Sequence, residues 1–194
     1  MNKYKDVFLY KLVRPIITFF FKILYRPKII GVENIPKSGR VILAGNHTNN
    51  FDSVLLMSST KRNIHFMAKI ELTKGLKKII FNNLGIIPVD RSKKSNSEVI
   101  DVSKKYLEND LVVGIFPEGT TEKGCGYLLP FKIGAVKLSN DTNTKIIPFK
   151  ISGEYKIFSK NLKIVFDKPF KASEDLEKSN KDLYNIINNI KDVK

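Results

Sequence analysis

The chain has 194 residues, 42% hydrophobic and 27% charged; this excludes a disordered or low-complexity chain and suffices for one compact domain plus a short appendage. Its 34 Lys and Arg against 19 Asp and Glu give a formal charge of +15, which favours an anionic partner: nucleic acid, anionic lipid or phosphorylated small molecules. A lone cysteine, Cys125, cannot make an internal disulfide and points to a reducing compartment, while two histidines and no Cys/His cluster at zinc-ligand spacing argue against a metal site.

The segment 7–25 is apolar but interrupted by Lys11, Arg14 and Lys22. A spanning helix needs about 20 predominantly apolar residues, and each central cation costs about 2.5–3.5 kcal/mol, so spanning is disfavoured. No small-residue cleavage site follows, which argues against a signal peptide. Lys11, Arg14, Thr18 and Lys22 are spaced to form one polar stripe on a helix, and Phe8, Leu12, Ile16, Phe19, Phe20 and Ile23 are among the residues covering the rest of its surface. Such a helix suits a bilayer interface; the alternative is a helix docked on the protein's own core. Pro15 either starts a second helical piece or kinks the first. The chain therefore divides into a membrane-interface helical segment over 1–26 and a domain over 27–194.

After Pro27 the pattern becomes alternating. A β-prone run over 28–32 and a Pro-Lys-Ser-Gly turn at 36–39 precede a buried strand over 40–44. Then come a helix over 52–59, a strand over 64–68, and a helix over 71–82 carried by Leu72, Leu76, Ile79 and Ile80. A strand at 86–89 leads to a helix over 95–108, with Val99, Val102, Tyr106 and Leu107 on one side, and a core strand over 111–116. A helix over 131–138, strands over 145–151 and 163–166, and a helix over 175–190 complete the series. This alternation predicts an α/β fold with a central mixed, largely parallel sheet flanked by helices. Sites in such sheets gather where strands end. Three unusual segments sit there: one around His47, one at Pro88-Val89-Asp90-Arg91, and Phe116-Pro117-Glu118-Gly119-Thr120.

A neutral imidazole is a good general base near pH 7, and a carboxylate on its other ring nitrogen fixes the tautomer. Asp52 stands five residues after His47. On a continuous helix that spacing turns the chain by ~500°, leaving the side chains about 140° apart. The pair meets only if His47 lies in a turn before a helix beginning at Asp52, which Asn46, Thr48, Asn49 and Asn50 favour. No Gly-x-Ser-x-Gly elbow is present and Cys125 has no evident partner, so a His/Asp pair here suits direct activation of a substrate hydroxyl. In the third segment, backbone N–H groups, Thr120 and a nearby cation can hold phosphate, and Gly119 permits unusual backbone angles. Glu118 would repel phosphate; it accepts from a hydroxyl or braces a cation such as Arg91, whose planar fork suits phosphate.

Taken together, Asn46-His47-x4-Asp52, Ile86-Ile87-Pro88-Val89-Asp90-Arg91, Phe116 to Thr120, and Ile146-Ile147-Pro148 resemble, in order, the sequence blocks of the glycerolipid acyltransferase family, particularly 1-acylglycerol-3-phosphate acyltransferases. Phe131 to Ala135 and Ala68-Lys69 add to the likeness, which runs from about residue 28 to 153. The resemblance implies that His47 is the base and Asp52 its partner, with Arg91, Glu118, Gly119 and Thr120 forming the acceptor site and Lys69 and Lys132 as auxiliary cations. It implies transfer of a fatty acyl group from an acyl thioester, acyl-coenzyme A or acyl-carrier protein, to the sn-2 hydroxyl of 1-acyl-sn-glycerol-3-phosphate, giving phosphatidic acid without a cofactor. With the amphipathic segment, it implies a peripheral or monotopic protein at the cytoplasmic face of the cell membrane, working on an anionic surface and a lysophospholipid. Many family members carry Arg directly after Phe-Pro-Glu-Gly-Thr, where this chain has Thr121. That departure favours, as an alternative, a different lysophospholipid acceptor. A basic domain binding nucleic acid or anionic membrane without catalysis is the third reading; the absence of RNA-binding and helix-turn-helix motifs argues against nucleic acid.

Overall fold

The computed structural model describes residues 8–73, 85–90, 97–121 and 127–191. Among the described residues seven strands form one sheet: β1 (Lys28–Ile30), β2 (Val41–Gly45), β3 (Ile64–Lys69), β4 (Ile87–Val89), β5 (Val112–Ile115), β6 (Ile146–Ser152) and β7 (Lys163–Phe166), in the order β1-β7-β6-β2-β5-β3-β4. Every neighbouring pair is parallel except β6–β7. The sheet is therefore mixed and mostly parallel, as the alternation of elements predicts.

Alternate residues of β2 serve opposite layers, as a strand buried on both faces requires. Val41 and Leu43 face a cluster with Leu55, Leu56 and Phe21. These come from α1 (Phe8–Tyr25) and α2 (Asp52–Ser59). Ile42 and Ala44 face the other cluster, with Leu107, Leu138, Leu183 and Ile187. These belong to α3 (Ser97–Glu108), α4 (Gly134–Thr142) and α5 (Leu176–Asn189). Parallel pairing brings the C-terminal ends of β2, β3, β4 and β5 to one edge of the sheet.

Helix α1 runs through Pro15 as one element. Its buried side carries Tyr10 and Phe21, and the Tyr10 hydroxyl accepts from the Ile64 amide at 3.2 Å. Arg14, expected on the polar stripe, turns inward. Its guanidinium donates to the Met57 carbonyl at 3.3 Å and to the Thr60 carbonyl. The last turn of α2 leaves carbonyls without intrahelical donors, and a cation satisfies them. Leu12, Ile16, Phe19, Phe20 and Ile23 remain exposed on the outer side. Among the described residues no helix is long and apolar enough to cross a membrane.

The helix expected over 131–138 instead spans Gly134–Thr142; the stretch before it is tied to the 116–120 loop, where the Lys132 amide donates to the Pro117 carbonyl at 2.8 Å. Of the helix expected over 71–82, a 3₁₀ turn over Ile70–Thr73 is seen, and the remainder lies outside the described residues.

Candidate active site

The segment between β2 and α2 is a turn built around one carboxylate. Residues 46–48 follow the strand without regular structure, the chain bends at Asn49, and α2 begins at Asp52. The Asn49 side chain accepts from the Phe51 amide at 3.0 Å, and the Asp52 amide donates to the Asn49 carbonyl at 3.0 Å. This is the Asx-type turn that Asn-rich sequence favours. It brings Asp52 Oδ2 to 2.9 Å from His47 Nδ1. The same oxygen accepts from the amides of Thr48 at 2.6 Å and Asn49 at 2.8 Å. Asp52 is fully buried, while the His47 side chain keeps 18% of its surface exposed. With Nδ1–H donating to the carboxylate, Nε2 presents its lone pair, the arrangement a general base requires. Among the described residues Nε2 has no hydrogen-bond partner.

Two further contacts hold the histidine. Its ring stacks on Phe116 at 4.3 Å between centroids. Its backbone amide donates to Glu118 Oε1 at 2.7 Å. Preceding it, buried Asn46 locks the end of β2 to β6: its Nδ2 donates to the Ile151 carbonyl at 2.8 Å and its Oδ1 accepts from the Ile151 amide at 2.7 Å. Gly45 is required beside it, since a Cβ there would strike the Phe149 ring and carbonyl.

The Phe116–Thr120 segment follows β5, next to β2. Glu118 is 4% exposed, and its second oxygen accepts from the Leu129 amide at 2.9 Å. Its carboxylate thus braces two loops through main-chain donors. Gly119 adopts φ +68°, and its amide donates to the Phe116 carbonyl at 2.9 Å. The Lys132 ammonium lies over it, 2.9 Å from where a Cβ would stand. Thr120 and Lys132 are exposed on this edge. Lys69 closes β3, its side chain lying outside the described residues, as do Arg91 and Cys125. The second histidine, His65, is a core residue: it is 1% exposed, with Nδ1 2.8 Å from the Gly85 carbonyl.

Tyr155, which sequence reasoning missed, donates its hydroxyl to Asp52 Oδ1 at 2.5 Å, across 103 residues of chain. Burial, followed by the Asp52 charge and hydrogen bond, pushes its pKa up, so it stays a protonated donor. Thr48 Oγ1 also donates to Oδ1, at 3.2 Å. A cleft of about 610 Å³ opens beside this turn, lined by Asn46, Thr48, Asn49, Glu118, Lys150 and Tyr155 among others.

Comparison with known proteins places the chain in a family. The Acyltransferase family model matches residues 26–152. The chain is 31% identical over 136 residues to the 1-acyl-sn-glycerol-3-phosphate acyltransferase of Borreliella burgdorferi, covering 69% of this chain and 54% of that protein. It is 31% identical over 144 residues to the 1-acyl-sn-glycerol-3-phosphate acyltransferase alpha of Mus musculus, covering 72% and 50% respectively. The chain spans about half the length of these curated relatives. The crystal structure of the 1-acyl-sn-glycerophosphate (LPA) acyltransferase from Thermotoga maritima matches with a TM-score of 0.72 at 22% identity, over 92% of this chain and 78% of that one, a likeness of fold. The family match covers more than half of the chain and contains the His47–Asp52 turn and the Phe116–Thr120 loop: the chain belongs to the Acyltransferase family.

Proposed function

We propose that the chain is an O-acyltransferase that moves a fatty acyl group from an acyl thioester to the sn-2 hydroxyl of 1-acyl-sn-glycerol-3-phosphate, forming phosphatidic acid in phospholipid biosynthesis. The observation that carries this reading is the His47 Nδ1–Asp52 bond, which leaves Nε2 free as a base. Nε2 removes the hydroxyl proton as the oxygen attacks the thioester carbonyl. The tetrahedral intermediate collapses, the carbon–sulfur bond breaks, and the departing thiolate takes the proton from the imidazolium. Asp52 orients the ring and stabilises its charged form. Lys132, Thr120 and Arg91 hold the acceptor phosphate, with Gly119 letting the Lys132 ammonium approach the loop. The donor is acyl-coenzyme A or acyl-carrier protein, both anionic and suited to a chain of charge +15.

The exposed apolar side of α1 supports attachment to the cytoplasmic face of the cell membrane, peripherally or monotopically. Thr121, in the position where many relatives carry Arg, favours a second reading in which the acceptor is another lysophospholipid. Incubating the purified protein with both donors and a panel of lysolipids, read by product mass, separates the two. The first reading expects phosphatidic acid as the main product, and nearly none from His47→Ala. A preference for another acceptor replaces it with the second, and undiminished turnover by a folded His47→Ala protein removes His47 from catalysis.

A further inference from the structure

We propose that Tyr155 is a positioning residue for the His47–Asp52 pair and that, through its ring, the seating of α1 governs that pair. The proposal rests on the acyl-transfer reading above for its kinetic consequence only. The contacts to Asp52 fall into two sets. Those to Oδ2 come from His47, Thr48 and Asn49, all within five residues of the carboxylate. Oδ1 has Thr48 Oγ1 at 3.2 Å and the Tyr155 hydroxyl at 2.5 Å. Among the described residues Tyr155 makes the one hydrogen bond that reaches the Asp52 carboxylate from a distant part of the chain. The torsion that sets a carboxylate plane is broad and weakly held by intrinsic preference. Contacts at Oδ2 fix one oxygen; a short bond at Oδ1 fixes the plane, and with it the direction from which Oδ2 meets Nδ1.

Tyr155 is itself placed by α1. Its ring packs on Tyr25 at 5.8 Å, Phe51 at 6.0 Å and Phe21 at 6.4 Å between centroids. Tyr25 and Phe21 belong to the last turns of α1. The loop carrying Tyr155 is tied to the same helix end, where the Phe158 amide donates to the Leu24 carbonyl at 2.6 Å and the Arg26 guanidinium lies 5.5 Å over the Phe158 ring. A displacement of α1 therefore reaches Asp52 through a contiguous set of contacts: α1 to Tyr155, Tyr155 to Oδ1, and Oδ2 to the base. Tyr155 lies just beyond the family-matched segment, which ends at residue 152.

The test uses Tyr155→Phe, which keeps the ring and removes the hydroxyl, and reads the histidine ring nitrogens by NMR in the absence of substrate. The protein has two histidines, and His47→Gln assigns the His47 signals. We expect the His47 Nδ1 resonance to move, the melting midpoint to stay within a few degrees, and kcat to fall about tenfold with KM unchanged. Tyr25→Ala should shift the same resonance, and in the Tyr25→Ala/Tyr155→Phe pair the kcat losses should not add, because both act through one bond. An unmoved His47 resonance overturns the positioning role whether or not kcat changes. A raised KM with wild-type kcat also overturns it, by making Tyr155 a substrate contact. Additive losses in the double variant overturn the link to α1. A moved resonance in a protein whose wild type acylates no lysolipid leaves the positioning role standing and removes the functional reading instead.

Discussion

Both oxygens of the Glu118 carboxylate are committed to main-chain donors, one at His47 and one at Leu129, 71 and 11 residues away along the chain. A buried carboxylate that accepts two amides joins the loops those amides belong to, and here one loop carries His47, the proposed base. Replacing it with Gln keeps the size but turns one acceptor into a donor facing an N–H. Glu118→Gln should lower the unfolding free energy by about 1–3 kcal/mol, read by urea denaturation. It should also lower kcat, since the backbone of His47 loses its anchor; an unchanged kcat would show that the Asp52 contacts hold the base alone. Gly119→Ala makes a separate point. A residue with a Cβ in the left-handed region costs about 1–2 kcal/mol, and at φ +68° the added carbon would also displace the Lys132 ammonium. The expected result is a lower melting midpoint together with a raised KM for the proposed phosphorylated acceptor. What these residues do was only partly legible in the sequence. The His47–Asp52 turn could be read because its partners are local and its Asn-rich linker favours a turn over a continuous helix. The partners of Glu118 and Tyr155 could not, because each lies in another loop and only the order of strands brings them together.

At the scale of elements, the same distinction holds. Helix α2 spans the residues expected of it, Asp52–Ser59, because a local turn starts it. Helix α4 is displaced toward the C-terminus: the stretch Phe131-Lys132-Ile133 before it is tied to Pro117 through the Lys132 amide, and Asn143, at φ 51°, closes its end. Helix α1 shows most clearly how packing reassigns a side chain. Its cationic stripe is real in spacing, yet Arg14 is spent on the open carbonyls of α2 rather than on the surroundings. Removing that charge should uncouple the two helices. Arg14→Met is expected to cost about 1–2 kcal/mol, as the loss of charge-assisted bonds to carbonyls at a helix end would give. Lys22→Ala, at an exposed position of the same stripe, should stay within about 0.5 kcal/mol of wild type. Equal effects of the two substitutions on thermal unfolding would mean that the stripe acts through diffuse charge and not through the Arg14 contacts.

Two features of the whole molecule would serve the proposed membrane attachment, each by different physics. Leu12, Ile16, Phe19, Phe20 and Ile23 form an exposed apolar band along α1, with Phe19 and Phe20 60% and 57% exposed. The formal charge of +15 is spread over the chain and acts at longer range. The first attraction is insensitive to salt, whereas the second weakens as the screening length falls from about 10 Å at 0.1 M to about 3 Å at 1 M salt. Vesicle binding can therefore be resolved into its parts. On zwitterionic vesicles the band acts alone, and full burial of a Phe side chain is worth about 1.5–3 kcal/mol. Phe19→Ser/Phe20→Ser should then weaken binding on the order of 100-fold, with the melting midpoint preserved because neither ring contributes to the core. On anionic vesicles the same variant should retain binding at low salt and lose it as salt rises, whereas the wild type should fall only to its zwitterionic level. If the double variant holds zwitterionic vesicles as tightly as the wild type, α1 is not the surface that meets the lipid. If the wild type shows no salt dependence on anionic vesicles, the excess of Lys and Arg contributes nothing to membrane attachment.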